Sequence, residues 1–280
     1  MNHSAASRFI SVNGLKLHYL ESGRKTGRPM ILLHGTGDHA HVWDFFAPVF
    51  ANYFRILSLD QRGHGQSARP RPPAYTCEDY VADLAAFVET LGLDKFVLVG
   101  HSMGALHAVA YTSNHPDLVA ALIHADIEVY PPSWNRQYLH GLYETLPESF
   151  ASLDDYARYT SKNSPYARLE VHAYLAPFGV DQSRDGRYYH KYDRELLKHF
   201  VQYDLRENLK DIKCPTLIIR GAESRVMRRE PAEEMNRVLP QSRFVEIPRA
   251  THPVHTDQPE AFNQAVMDFL KEWGLIAIKG

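Results

Sequence analysis

Apolar and polar positions alternate at both ends of the turn Asn13-Gly14, over Phe9-Ile10-Ser11-Val12 on one side and Leu15-Lys16-Leu17-His18-Tyr19-Leu20 on the other. Period-two alternation around Asn-Gly predicts a hairpin closed by a two-residue turn. The next apolar stretches are continuous: Met30-Ile31-Leu32-Leu33, Arg55-Ile56-Leu57-Ser58-Leu59 and Lys95-Phe96-Val97-Leu98-Val99. So are Leu118-Val119-Ala120-Ala121-Leu122-Ile123, Pro215-Thr216-Leu217-Ile218-Ile219-Arg220 and Arg243-Phe244-Val245-Glu246-Ile247. Such runs suit strands covered on both faces. Helical periods fall between them. Val81, Leu84, Ala85, Val88 and Leu91 recur by threes and fours behind Thr76, with an acid three residues on at Asp79 and Gly92 at the end, so a capped helix is expected there. Residues 42–50 read as a short helix, 230–239 as another, and 259–273 as the closing helix, with Phe262, Val266, Phe269 and Leu270 on one face.

Strand and helix alternate along most of the chain, which predicts an α/β fold with a mostly parallel central sheet and helices on both faces. The pattern changes between 127 and 211. Helical periods there are shorter and less apolar, and the region carries Trp134, His140, His172, His190, His199 and most of the tyrosines. It reads as an inserted, mostly helical cap, with 1–126 and 212–280 forming the core.

Composition narrows the classes. A chain of 280 residues is long enough for one large α/β domain with an insertion. A net charge of −2 gives no electrostatic basis for binding nucleic acid or an anionic membrane. Two cysteines, Cys77 and Cys214, form no metal or redox spacing, and a reducing, cytoplasmic compartment is expected. Residues 1–8 contain no apolar segment of the signal-peptide kind, and no stretch of about 18 residues is apolar throughout, so no membrane span is expected.

The chemistry clusters at the C-terminal ends of the expected strands, where ligands bind in open α/β sheets. His34-Gly35-Thr36-Gly37 follows the third strand, Asp60-Gln61-Arg62-Gly63-His64-Gly65-Gln66-Ser67 the fourth, Asp126 the sixth and the turn after Gly221 the seventh. Between the fifth strand and a small apolar helix stands Gly100-His101-Ser102-Met103-Gly104. Strand, tight Gly-x-Ser-x-Gly turn and helix form a nucleophile elbow, which exposes the Ser102 hydroxyl at a helix N-terminus.

Taken together, His-Gly-x-Gly, Asp-x-Arg-Gly-x-Gly-x-Ser and Gly-x-Ser-x-Gly after three successive strands resemble the α/β-hydrolase superfamily over the whole chain. The resemblance implies a Ser–His–acid triad. Its base belongs in the loop before the last helix, where Ala250-Thr251-His252-Pro253-Val254-His255 stands. His252 matches that position, with Thr251 in place of the common Gly; His255 is the alternative. The acid is open. Many relatives carry Asp in the loop after the seventh strand, but Gly221-Ala222-Glu223-Ser224-Arg225 puts Ser224 there. A hydroxyl cannot hold an imidazolium as a carboxylate does. Some members carry the acid after the sixth strand, which favours Asp126 here; Glu223 and Glu128 are the other candidates. The backbone N–H groups of Met103 and Thr36 are the expected oxyanion hole, with the Thr36 hydroxyl as a further donor. Asp60, Arg62, His64 and Ser67 are expected to fix their loop.

Relatives that open epoxides or displace halide use Asp at the elbow, so Ser102 points to acyl transfer. The expected function is a serine carboxylic ester hydrolase for small or medium acyl esters, lactones included. It needs no metal or organic cofactor and acts on a small-molecule ester as a monomer or homodimer. The alternatives are a C–C bond hydrolase of aromatic ring-cleavage products, or a catalytically inert ligand-binding member of the fold. The C–C enzymes commonly carry a longer Gly-rich loop than His34-Gly35-Thr36-Gly37-Asp38.

Overall fold

The computed structural model describes residues 5–130, 132–201 and 203–276. Pro131 and the side chain of Trp134, both singled out by sequence, lie outside the described set, as do residues 1–4. Strands β1 (Ala6–Val12) and β2 (Leu15–Gly23) form the antiparallel hairpin, with Val12 paired to Leu15. Its turn puts Asn13 at φ 49° and Gly14 at φ 75°, the left-handed pair that matches the twist of the flanking strands.

The chain then runs through β3 (Arg28–Leu33), a 3-10 turn at Ala40–Trp43, α1 (Ala47–Phe50), β4 (Phe54–Leu59), α2 (Cys77–Thr90), β5 (Phe96–His101), α3 (Met103–Asn114) and β6 (Val119–Ala125). The single helix expected over 42–50 is two short pieces. Pro48 supplies no N–H and its ring blocks the preceding turn, so the helix restarts with Pro48 in its first turn. The capping box at α2 is present: Thr76 Oγ1 accepts from Asp79 N, and Asp79 accepts from Thr76 N.

Beyond β6 come α4 (Ser133–Thr145), α5 (Leu153–Ser161), α6 (Leu169–Gly179), a small antiparallel pair β7 (Val180–Gln182) and β8 (Tyr188–His190), and α7 (Glu195–Lys198). The small sheet has no counterpart in the sequence pattern, because two three-residue strands carry too few positions to show a period. The chain finishes with β9 (Thr216–Gly221), α8 (Arg229–Val238), β10 (Ser242–Ile247), α9 (Val254–Asp257) and α10 (Pro259–Glu272).

The main sheet has the order β1-β2-β4-β3-β5-β6-β9-β10. The first two pairings are antiparallel and every pairing from β4 to β10 is parallel. Alternate residues of one strand feed different cores. Ile31, Leu33, Leu57, Leu59 and Leu98 pack with α2 and α3 on one face. Met30, Leu32, Ile56, Val97 and Val99 pack with α1 and α10 on the other. Residues 96–101 of β5 are all buried, and each such aliphatic side chain contributes about 1.5–3 kcal/mol of apolar burial. The chain leaves β3 for β4 on one side and returns to β5 on the other. That reversal opens a crevice beyond the C-terminal ends of β3 and β5.

Candidate active site

The elbow is held by close packing that only glycine permits. A Cβ on Gly100 would stand 2.5 Å from Gly104 O, and one on Gly104 2.5 Å from Leu33 O. Strand, turn and helix therefore meet backbone to backbone. Ser102 is forced to φ 52° and ψ −124°, a conformation that costs an L-residue of order 1–2 kcal/mol. Ser102 N donates to Ala125 O at 2.9 Å, while its own carbonyl accepts from Ala105 N at 2.8 Å. The hydroxyl projects into the crevice.

His252 lies in the loop between β10 and α9. Two contacts set that loop: His101 Nε2 donates to His252 O at 2.9 Å, and Thr251 N donates to Asp257 Oδ2 at 2.7 Å. The ring then spans two partners. Its Nε2 is 2.9 Å from Ser102 Oγ, and its Nδ1 is 2.9 Å from Asp126 Oδ2. A carboxylate opposite Nδ1 assigns the proton to Nδ1, which leaves Nε2 free to accept from the serine hydroxyl.

Asp126 directly follows β6 at φ 55° and is fully buried. A buried carboxylate must be hydrogen-bonded, and this one is. Oδ1 accepts from Gly221 N at 2.8 Å, and Oδ2 accepts from the Ser224 hydroxyl at 2.5 Å as well as from His252. Ser224, in the loop after β9, thus donates to the carboxylate that follows the neighbouring strand β6. Ser224 is itself fixed by the N–H groups of Val226 and Met227, at 3.1 and 3.2 Å.

The other candidate acids do not reach His252. Glu223 is exposed and accepts from Tyr166 OH at 2.5 Å. Glu128 is buried but taken up by Arg228, through Nε at 2.8 Å and Nη2 at 2.9 Å. The alternative base, His255, is stacked on Trp43 with ring centroids 4.7 Å apart. Burial drives its pKa down to about 3, so it stays neutral packing.

The loop after β3 closes the other side. A Cβ on Gly35 would stand 3.0 Å from His101 Nδ1, 3.2 Å from Ser102 Cβ and 3.3 Å from Asp38 Oδ2. Among the described residues, neither Thr36 N–H nor Met103 N–H has an acceptor. His34 anchors the loop, donating from Nδ1 to Gly35 O at 2.8 Å and accepting from Gln61 N at 3.0 Å. Burial lowers its pKa to about 4. Asp60 is the bolt of the next loop. Burial alone would raise its pKa, but hydrogen bonds from His18 at 2.7 Å, Ala40 N at 2.6 Å and Gln66 N at 2.9 Å bring it down to about 2. Arg62 grips Asp83 through two contacts of 2.7 Å, and Ser67 donates to Asp60 O.

Residues from the stretch between β6 and β9 meet this site. Met103 clusters with Leu146, Tyr192, Leu196 and Leu197, and the Tyr192 ring lies 3.3 Å from the Cβ position of Gly37. Asp38 was not singled out by sequence reasoning beyond its place after Gly37; an acid directly behind a His-Gly-x-Gly loop was the available signal. Cys77 and Cys214 are free and buried. No described helix is long and apolar enough to cross a membrane, and the described residues contain no group of three or more His, Cys, Asp or Glu that could hold a metal ion.

The chain is 26% identical over 292 residues to epoxide hydrolase 1 of Caenorhabditis elegans, across 95% of this chain and 70% of that protein. It is 27% identical over 282 residues to 2-hydroxy-6-oxo-6-(2'-aminophenyl)hexa-2,4-dienoic acid hydrolase of Metapseudomonas resinovorans, across 94% of this chain and 90% of that protein. The crystal structure of E-2-(acetamidomethylene)succinate hydrolase shares the fold, with a TM-score of 0.86 at 24% identity over 95% of this chain and 99% of that one. The family model for the alpha/beta hydrolase fold matches residues 28–259. Sheet order, elbow and family match agree, and the chain belongs to the alpha/beta hydrolase fold family.

Proposed function

We propose that this hydrolase cleaves carboxylic esters of small or medium acyl groups, lactones included, through an acyl-enzyme. The observation that carries the reading is the bridge of His252 between Ser102 Oγ and Asp126 Oδ2, at 2.9 Å on each side. Ser102 attacks the ester carbonyl while His252 Nε2 takes its proton. Asp126 holds Nδ1–H and steadies the imidazolium. The Met103 and Thr36 N–H groups receive the oxyanion, with the Thr36 hydroxyl as a further donor. His252 returns the proton to the departing alkoxide, and a water repeats the sequence to release the acid and restore Ser102. In this reading residues 127–211 are a cap over a core of 1–126 and 212–280, and their tyrosines and leucines supply an apolar pocket with polar tips.

The epoxide-hydrolase and dienoic-acid-hydrolase relatives name other chemistries. A serine at the elbow favours an acyl intermediate over an alkyl one, and the short loop His34-Gly35-Thr36-Gly37-Asp38 favours an ester over a ring-cleavage product. The test is turnover of p-nitrophenyl esters of increasing acyl length by the wild type and Ser102→Ala. Hydrolysis that depends on Ser102 and falls off beyond a certain acyl length supports the reading. Equal rates on every ester overturn it, and turnover of a vinylogous 1,5-diketone or plain ligand binding then takes its place.

A further inference from the structure

We propose that Asp38 selects substrates carrying an ammonium group a few bonds from the scissile carbonyl, the carboxylate pairing with the cation against the aromatic wall of the pocket. The inference rests on Ser102 being the nucleophile.

Its position comes first. Ser102 Cβ and Asp38 Oδ2 flank the same point, lying 3.2 and 3.3 Å from the Cβ position of Gly35. One carboxylate oxygen therefore lies beside the nucleophile's Cβ, across Gly35. Asp38 is partly accessible there. Its chemistry comes second. The other enclosed aspartates near the site are satisfied by protein donors. Asp126 has Gly221, Ser224 and His252; Asp257 has Ser164 at 2.6 Å and Thr251 at 2.7 Å; Asp193 has Arg71 at 2.5 Å and Tyr75 at 2.7 Å. No described donor bonds the Asp38 carboxylate. A half-buried carboxylate with no protein donor beside a nucleophile is a candidate for recognising a ligand.

The surroundings suit a cation. Enclosure pushes the Asp38 pKa up to about 6, against a smaller opposing pull from His252. The group is thus largely ionised at neutral pH and gains from a positive partner. Tyr156 feels the Asp38 charge: burial and then Asp38 raise its hydroxyl pKa. The Tyr192 ring covers Gly37. Aromatic faces beside a carboxylate are a cation-binding environment. Arg194 acts on Tyr159, Tyr192 and His190, and its guanidinium donates to Tyr143 O at 2.8 Å rather than to Asp38. His252 and Tyr156 are coupled to Asp38, and the His101 ring, which flanks the same Gly35 position, is kept neutral by burial. Like charge predicts the complement: a carboxylate on the substrate at this position is repelled.

The test uses two reagents of one shape, ethyl 4-nitrophenyl butylphosphonate and its 3-aminopropylphosphonate analogue. Each would place a phosphonyl group on Ser102: the Oγ–P bond forms, the P–O bond to nitrophenolate breaks, and the serine proton passes to His252. Adducts are counted by intact mass, so no natural substrate is needed. At pH 8 the wild type should react with the ammonium reagent roughly tenfold to a hundredfold faster than with the neutral one, the range of a charge-assisted contact. That ratio should fall toward one as pH drops through about 6, the value set for Asp38. His252 enters both rates and cancels. Asp38→Asn and Asp38→Ser should each bring the ratio to one at pH 8, whatever they do to the neutral rate. A wild-type ratio of one, or a ratio that both variants preserve, overturns the inference and leaves the ester reading standing. Absence of a Ser102 adduct with either reagent overturns both.

Discussion

Ser224 donates its hydroxyl to Asp126 Oδ2 at 2.5 Å, the oxygen that also faces His252 Nδ1 at 2.9 Å. The serine in the loop after β9 therefore supports the carboxylate after β6, the acid of the proposed triad. Ser224→Ala should lower kcat roughly tenfold with little change in KM, since a hydrogen bond to a charged group contributes about 1.5–3 kcal/mol and Gly221 N still holds the other oxygen. Ser224→Asp should not rescue activity. It sets a second carboxylate against Asp126, and like charges at that range oppose ionisation. Steady-state kinetics on a p-nitrophenyl ester separate these outcomes.

Asp126→Asn should cost about 10⁴ in kcat, because an amide opposite Nδ1 favours the wrong histidine tautomer. Glu223→Gln should stay within about twofold of wild type, as expected for an exposed site. Glu128→Gln should also keep its turnover while lowering the melting temperature, because it removes the bidentate partner of Arg228. A large loss in either glutamate variant, with Asp126→Asn active, would move the acid elsewhere.

Ser102→Gly should abolish ester turnover and raise stability. The φ of 52° strains serine and not glycine. Its relief, set against the greater entropy of an unfolded glycine, leaves a gain of up to about 1 kcal/mol. Chemical denaturation of the two proteins reads it directly. A Ser102→Gly protein less stable than wild type would mean that the hydroxyl contact with His252 outweighs the strain.

Asp60 ties acid stability to its hydrogen bonds. Its folded pKa of about 2 lies below the ordinary value of 3.8. The stabilisation it brings is thus present in full above pH 4 and is lost as pH falls through 2. A depression of this size corresponds to about 2 kcal/mol. Asp60→Asn should be less stable at pH 7 and should flatten the decline between pH 4 and pH 2. Denaturation midpoints across that range test the sign.

What was legible in the sequence was local or repetitive. Asn13-Gly14 specifies its own turn. Gly100 and Gly104 announce their close approach because no other residue fits there. The apolar strand runs repeat often enough to give the sheet. The acid was only narrowed, because Asp126, Glu128 and Glu223 have similar local contexts and differ in what lies across from them. Asp126 is separated from His252 by 126 positions, and no local pattern reports that meeting. Ser224 looked like a defect since its partner is on another strand. That no described donor bonds Asp38 shows only in three dimensions, and the β7–β8 pair is too short to give a sequence period.

In the proposed mechanism the acid stands just past β6, and this has a consequence for how the molecule can be re-engineered. Asp126 joins β6 to the stretch 127–211, so the proposed acid and the proposed cap share one junction. Exchanging caps between such proteins demands a seam downstream of Asp126, with Gly221 and Ser224 carried along in the recipient. A splice even one residue upstream would carry the proposed acid over with residues 127–211 and leave His252 to find it anew. The loop after β9 presents the Gly221 N–H and the Ser224 hydroxyl to Asp126, while Glu223 accepts from Tyr166 OH on the outer side.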